Sequence, residues 1–164
     1  MRACIAFLLL LFLLGAARAD DADKTFRSGL AAFNQSAYTD ARAAWVPLAE
    51  AGDARAQSAL GFMYYSGRGV PRDSARAAEF FQRAAEQGEP TAQFFLSMMV
   101  FKSDGVPKNA PLAIMWAELA VAGGQPEAFE WEATLMRSLT ASEREDGWRL
   151  VSRWRETHRN HKTR

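Results

Sequence analysis

The chain has 164 residues, 49% hydrophobic and 24% charged, with a formal charge of +1; it is long enough for one domain with its own core and has no basic excess to offer nucleic acid. Its single cysteine is Cys4, and its two histidines, His158 and His161, lie close to the C-terminus. That leaves little material for a thiol nucleophile, a histidine-based triad or a histidine–cysteine metal cage.

Met1 and Arg2 give a positive start, residues 3–17 are uncharged, and Ala17-Arg18-Ala19 has the small-x-small pattern read by signal peptidase. The run is shorter than the roughly 20 apolar residues that span a bilayer. Cys4 precedes it instead of following it, unlike a lipoprotein cysteine. Residues 1–19 therefore read as a signal peptide cleaved after Ala19. The expected mature protein begins at Asp20, carries a charge of −1 without Arg2 and Arg18, has no stable membrane insertion and resides in a bacterial periplasm. Asn34-Gln35-Ser36 has the form of a glycosylation acceptor, relevant only in a host that glycosylates exported proteins.

The rest of the chain repeats itself every 36 residues. The shift pairs Ala56 with Ala92, Leu60 with Leu96, Gly69-Val70-Pro71 with Gly105-Val106-Pro107, Phe80 with Trp116, Ala84 with Ala120 and Gly88 with Gly124. Shifting backwards pairs Ala77 with Ala41, Phe81 with Trp45 and Gly88 with Gly52. In chain order the first unit covers 24–53, its two helices joined tightly at Ser36-Ala37-Tyr38. The second covers 54–89. Ala56, Leu60 and Tyr64 recur there at the four-residue spacing of a packed helical face, Ser66 to Pro71 breaks the helix, and Ala77, Phe81, Ala84 and Ala85 mark a second helix ending at Gly88.

The third unit, 90–124, departs from the second at three places, with Ser97 for Gly61, Val100 for Tyr64 and Ser103 for Gly67; its interhelix loop is expected to be less regular. Two capping helices follow within 126–157. The first carries Phe129, Leu135 and Met136. The second opens at the capping box Thr140-Ala141-Ser142-Glu143 and bears Trp148, Val151 and Trp154. Residues 158–164 form a basic polar tail, and fraying is expected beyond Thr157.

The pattern Ala56-x-x-x-Leu60-Gly61-x-x-Tyr64-x-x-Gly67-x-Gly69-Val70-x-x-Asp73, continued by Ala77, Phe81, Ala84-Ala85 and Gly88, resembles the Sel1-like repeat, a relative of the tetratricopeptide repeat. The resemblance implies an all-α, right-handed α-solenoid of stacked helix-turn-helix units spanning residues 20–157, with about eight helices. It also implies a scaffold that binds proteins or peptides. Cysteine-rich members carry a disulfide in each repeat, which this chain lacks. Some members have been associated with hydrolysis of β-lactam or cell-wall substrates, which leaves a hydrolase as one alternative. A structural subunit of an envelope complex is another.

No catalytic residue, metal ligand or cofactor site is assigned. Ser66-Gly67-Arg68-Gly69 lacks the Gly-Lys-Ser/Thr ending and the preceding strand of a phosphate loop. His158 and His161 read as a solvated tail, and Glu127 with Glu130, or Glu143 with Asp146, as solvated helix faces. The candidate functional feature is the concave side lined by first helices: Arg55, Ser58, Phe62 and Tyr65, then Thr91, Phe94, Met98, Phe101 and Lys102. Two readings compete there. Arg55, Phe62, Tyr65, Phe94, Met98 and Phe101 form the floor and rim of a groove for a protein or peptide, or Phe94 and Met98 simply pack against neighbouring helices.

Overall fold

Most helix starts are fixed by side chains that take up otherwise free backbone N–H groups. Asp53 accepts from the Arg55 and Ala56 N–H groups, Asp73 from Arg76, Glu89 from Ala92 and Asn109 from Leu112. Thr140 and Glu143 cap reciprocally: the Glu143 N–H donates to Thr140 Oγ1 at 3.2 Å and the Thr140 N–H to the Glu143 carboxylate at 2.9 Å. The computed structural model describes residues 19–159. Among them are eight helices and no strand: α1 (19–34), α2 (Tyr38–Glu50), α3 (Ala54–Ser66), α4 (Ser74–Glu86), α5 (Pro90–Lys102), α6 (Ala110–Ala122), α7 (Pro126–Ser138) and α8 (Ala141–Arg159). The expected signal peptide through Arg18 and the end of the tail, with His161, lie outside the described residues.

Each helix from α2 to α7 packs on its chain neighbour, the arrangement of an all-α solenoid. Two buried clusters run along it. Ala41, Trp45, Ala49, Ala56, Leu60 and Met63 form the first, and a larger one extends from Ala77 and Phe81 to Val151. A repeated polar bond crosses two of the joints between units, α2 to α3 and α4 to α5. Gln57 Nε2 donates to the Ala49 carbonyl and Gln93 Nε2 to the Ala85 carbonyl, both buried and both 3.1 Å.

The loop of the third unit is as regular as that of the second, contrary to expectation. Gly67 closes α3 at φ 71° and Ser103 closes α5 at φ 58°, with their N–H groups bonded to the Met63 and Met99 carbonyls. A left-handed serine costs about 1 kcal/mol relative to glycine, and Ser103 Oγ also donates to the Val106 carbonyl at 3.3 Å.

The other two departures are compensated across the helix pair. A Cβ on Gly61 would stand 2.9 Å from the Phe81 ring. One period later the register puts Ser97 in place of Gly61 and the smaller Ala117 in place of Phe81, and the Ser97 hydroxyl donates to the Ala113 carbonyl at 2.7 Å and accepts from Trp131 Nε1 at 2.8 Å. Likewise Tyr64 stacks on Phe80 at 5.7 Å, while Val100 is matched by the larger Trp116, both 3% exposed.

α8 packs on α6 rather than along α7. Gly147 lies against Ile114, and Arg155 reaches Glu118 at 3.4 Å. Of its apolar residues Val151 is buried and Trp148 is 50% exposed. The helix runs to Arg159, the last described residue, with His158 stacked on Trp154 at 3.7 Å.

Candidate binding groove

The first helices α1, α3 and α5 converge on a cleft of about 390 Å³, walled by Phe26, Leu30 and Phe33 from α1 and by Ser58, Ala59 and Phe62 from α3, with Trp45 behind them. Trp45 is fixed by packing and by its Nε1–H, which donates to the Phe26 carbonyl at 3.2 Å. Gly29 lets α1 approach: a Cβ there would lie 2.5 Å from the Trp45 indole. Leu30 is 44% exposed at the mouth.

Arg55, Glu89 and Thr91 close one end of this cleft. Arg55 is a clamp rather than a free rim cation. It pairs with Asp23 at 2.8 Å and Asp53 at 2.9 Å and lies over the Phe26 ring. Hydrogen bonds first to Asp53 and then to Asp23 raise the pKa of its guanidinium. Its hydrogen bond lowers the Asp23 carboxyl in turn. Burial works against ionisation of Asp53, but bonds from the Arg55 side chain and the Ala56 and Arg55 N–H groups outweigh it and hold that carboxyl low.

The five apolar residues expected to share an open floor are all half-buried. Phe62, Tyr65 and Phe94 meet around Phe95, at ring separations of 5.5, 5.4 and 5.3 Å, and Phe95 itself stacks on Phe81 at 5.0 Å. Phe101 stands apart from that group, edge-on to Trp131 at 5.7 Å. Met98 lies on the same helix as Phe94 and is likewise half-buried. The floor therefore divides: Phe62 faces the open cleft, Tyr65 and Phe101 meet rings of the following unit, and Phe94 meets only the adjacent Phe95 among the rings. Sequence reasoning missed both the hub, Phe95, and the α1 wall. The available signal for the wall was the spacing of Phe26, Leu30 and Phe33, every third or fourth residue on one helical face.

A second cluster lies where α6, α7 and α8 meet. Glu132 occupies the place of the buried Leu60 and Leu96. Burial, then a hydrogen bond and repulsion from Glu118, push its carboxyl up to about 7. Among the described residues no group of three or more acidic, histidine or cysteine side chains is placed to hold a metal, and no helix is long and apolar enough to cross a membrane.

The fold and the concave cleft define a helical-repeat scaffold. The Sel1 repeat family profile matches residues 54–89 and 90–125. Among solved structures, a Sel1 repeat protein from Oxalobacter formigenes shares 32% identity at a TM-score of 0.63, over 76% of this chain and 97% of that one. A protective antigen present in uropathogenic Escherichia coli strains, displaying an SLR fold, shares 26% identity at a TM-score of 0.77 over 85% of this chain. This chain spans only 31% of the antigen's length. No curated protein sequence matches. The chain belongs to the Sel1 repeat family, whose repeats generally mediate protein interactions.

Proposed function

We propose that the protein is an exported, non-enzymatic adaptor that holds a protein or peptide segment in its concave groove. The observation carrying this reading is the cleft between α1, α3 and α5: an aromatic-walled concavity open to solvent at Leu30, on a face where neighbouring aromatics are consumed by packing. Such clefts concentrate binding energy in a few apolar anchors. A photoreactive residue replacing Leu30 in cells should crosslink a discrete protein, and Phe62→Glu elsewhere in the same chain should abolish the adduct. The same probe replacing the exposed Arg42 of α2 serves as the control. An identical adduct from both positions, or none from Leu30, overturns the groove as the binding face.

A further inference from the structure

The two interhelix loops differ in charge at two positions, Arg68 against Asp104 and Asp73 against Asn109. Asp104 of the second loop reaches back to Arg72 of the first at 3.0 Å, an ion pair between successive loops. One period earlier the place of Asp104 is taken by Arg68. The connection before it is the three-residue turn 35–37, which contains no charged residue. Among the described residues Arg68 consequently has no carboxylate within ion-pairing distance. Its guanidinium lies instead over Phe33 and Phe62, 5.7 and 5.6 Å from the ring centres.

Those two rings are walls of the cleft. Arg68 does not itself line the cleft, but it holds a cation without an ion-pair partner against two of the wall rings. At one end of the cleft Arg55 is already satisfied by two carboxylates, and Glu89 adds a third. Seven helical residues separate Arg55 from Phe62, about 10 Å at 1.5 Å per residue, the length of about three residues of extended chain. A guanidinium stacked on a ring keeps its edge N–H groups free for a carboxylate, which it can bind through two parallel bonds.

We propose that the occupant of this cleft is an acidic segment of a partner protein, with an Asp or Glu side chain on Arg68 and an adjacent apolar side chain on Leu30, Phe33 and Phe62. The inference rests on the concave face being the protein-binding face. A basic segment would place like charge on Arg68. A nucleic acid would find a single unpaired arginine there and a chain of nearly balanced charge.

Selection of phage-displayed random heptapeptides on the purified chain tests it. The expected consensus is Asp or Glu beside Leu or Phe. A synthetic, C-terminally amidated consensus peptide should lose at least tenfold in affinity on Arg68→Gln, less on Arg68→Lys and nothing on Arg42→Gln, with melting temperatures unchanged. A consensus without acidic residues, or affinity indifferent to Arg68→Gln, overturns the acidic assignment while leaving the groove reading in place. Tighter binding of a labelled oligothymidylate than of the peptide overturns it in favour of phosphate. Failure to select any consensus overturns the groove reading as well.

Discussion

Trp45 serves two structures at once, since the indole that completes the first buried cluster also backs the cleft. At 2% exposure, its truncation to alanine should cost about 3–5 kcal/mol by chemical denaturation, a large share of the roughly 5–15 kcal/mol typical of a domain; a loss below about 1 kcal/mol would contradict the packing described. Glu132 makes the opposite kind of prediction. Its carboxyl holds a proton more tightly folded than unfolded. Its stabilising contribution is therefore complete below its ordinary value near 4.5 and lost as pH rises through about 7. Glu132→Gln should remove that slope and stabilise the chain at pH 8 by about 1 kcal/mol after allowance for solvent screening. Parallel melting curves at pH 5 and pH 8 decide it. Whatever slope other groups contribute survives the substitution and serves as the internal reference.

Paired helices trade volume, so their residues should be energetically coupled. Gly61→Ser alone forces a side chain into the Phe81 ring, and Phe81→Ala alone opens a cavity. Together they recreate the Ser97–Ala117 combination that the next unit already uses. The double variant should lose less than the sum of the singles, by about 1 kcal/mol or more, in a urea-denaturation cycle; strict additivity would show that the two pairs are unrelated.

The period of 36 made the helix pairs legible because small and aromatic residues recur wherever two backbones approach. The α1 wall escaped it for a definite reason. The turn at 35–37 is four residues shorter than the loops that follow, so α1 runs in a register of 32, with Gly29 matching Gly61 and Phe33 matching Tyr65. Phe95 was hidden differently, since nothing in a local pattern says which of two adjacent phenylalanines stacks between helices. The placement of α8 on α6 depends on a contact that follows no repeat at all.

For the whole molecule, the proposed export is the property that organises the rest. If residues 1–19 are removed, intact-mass measurement of periplasmic protein should give a chain beginning at Asp20, and a membrane-bound species retaining Cys4 would contradict the proposed location. The start of the mature chain matters to the groove. Asp23, one of the two carboxylates holding Arg55, is only the fourth residue of the expected mature chain. Cleavage further along the chain would release the clamp and one end of the cleft with it.

The joints made by Gln57 and Gln93 are the same joint, a buried amide meeting the last turn of the preceding helix. At the next register stands Phe129, which is 68% exposed, and α8 has already been spent on α6. Duplication therefore has one place to act. A copy of residues 54–89 inserted after Gly88 and Glu89 would find a matching seam on both sides, whereas a unit appended after α7 would first have to displace α8. Lineages that lengthen such a chain should do so from within, and their first and last helices should stay alike while the middle grows.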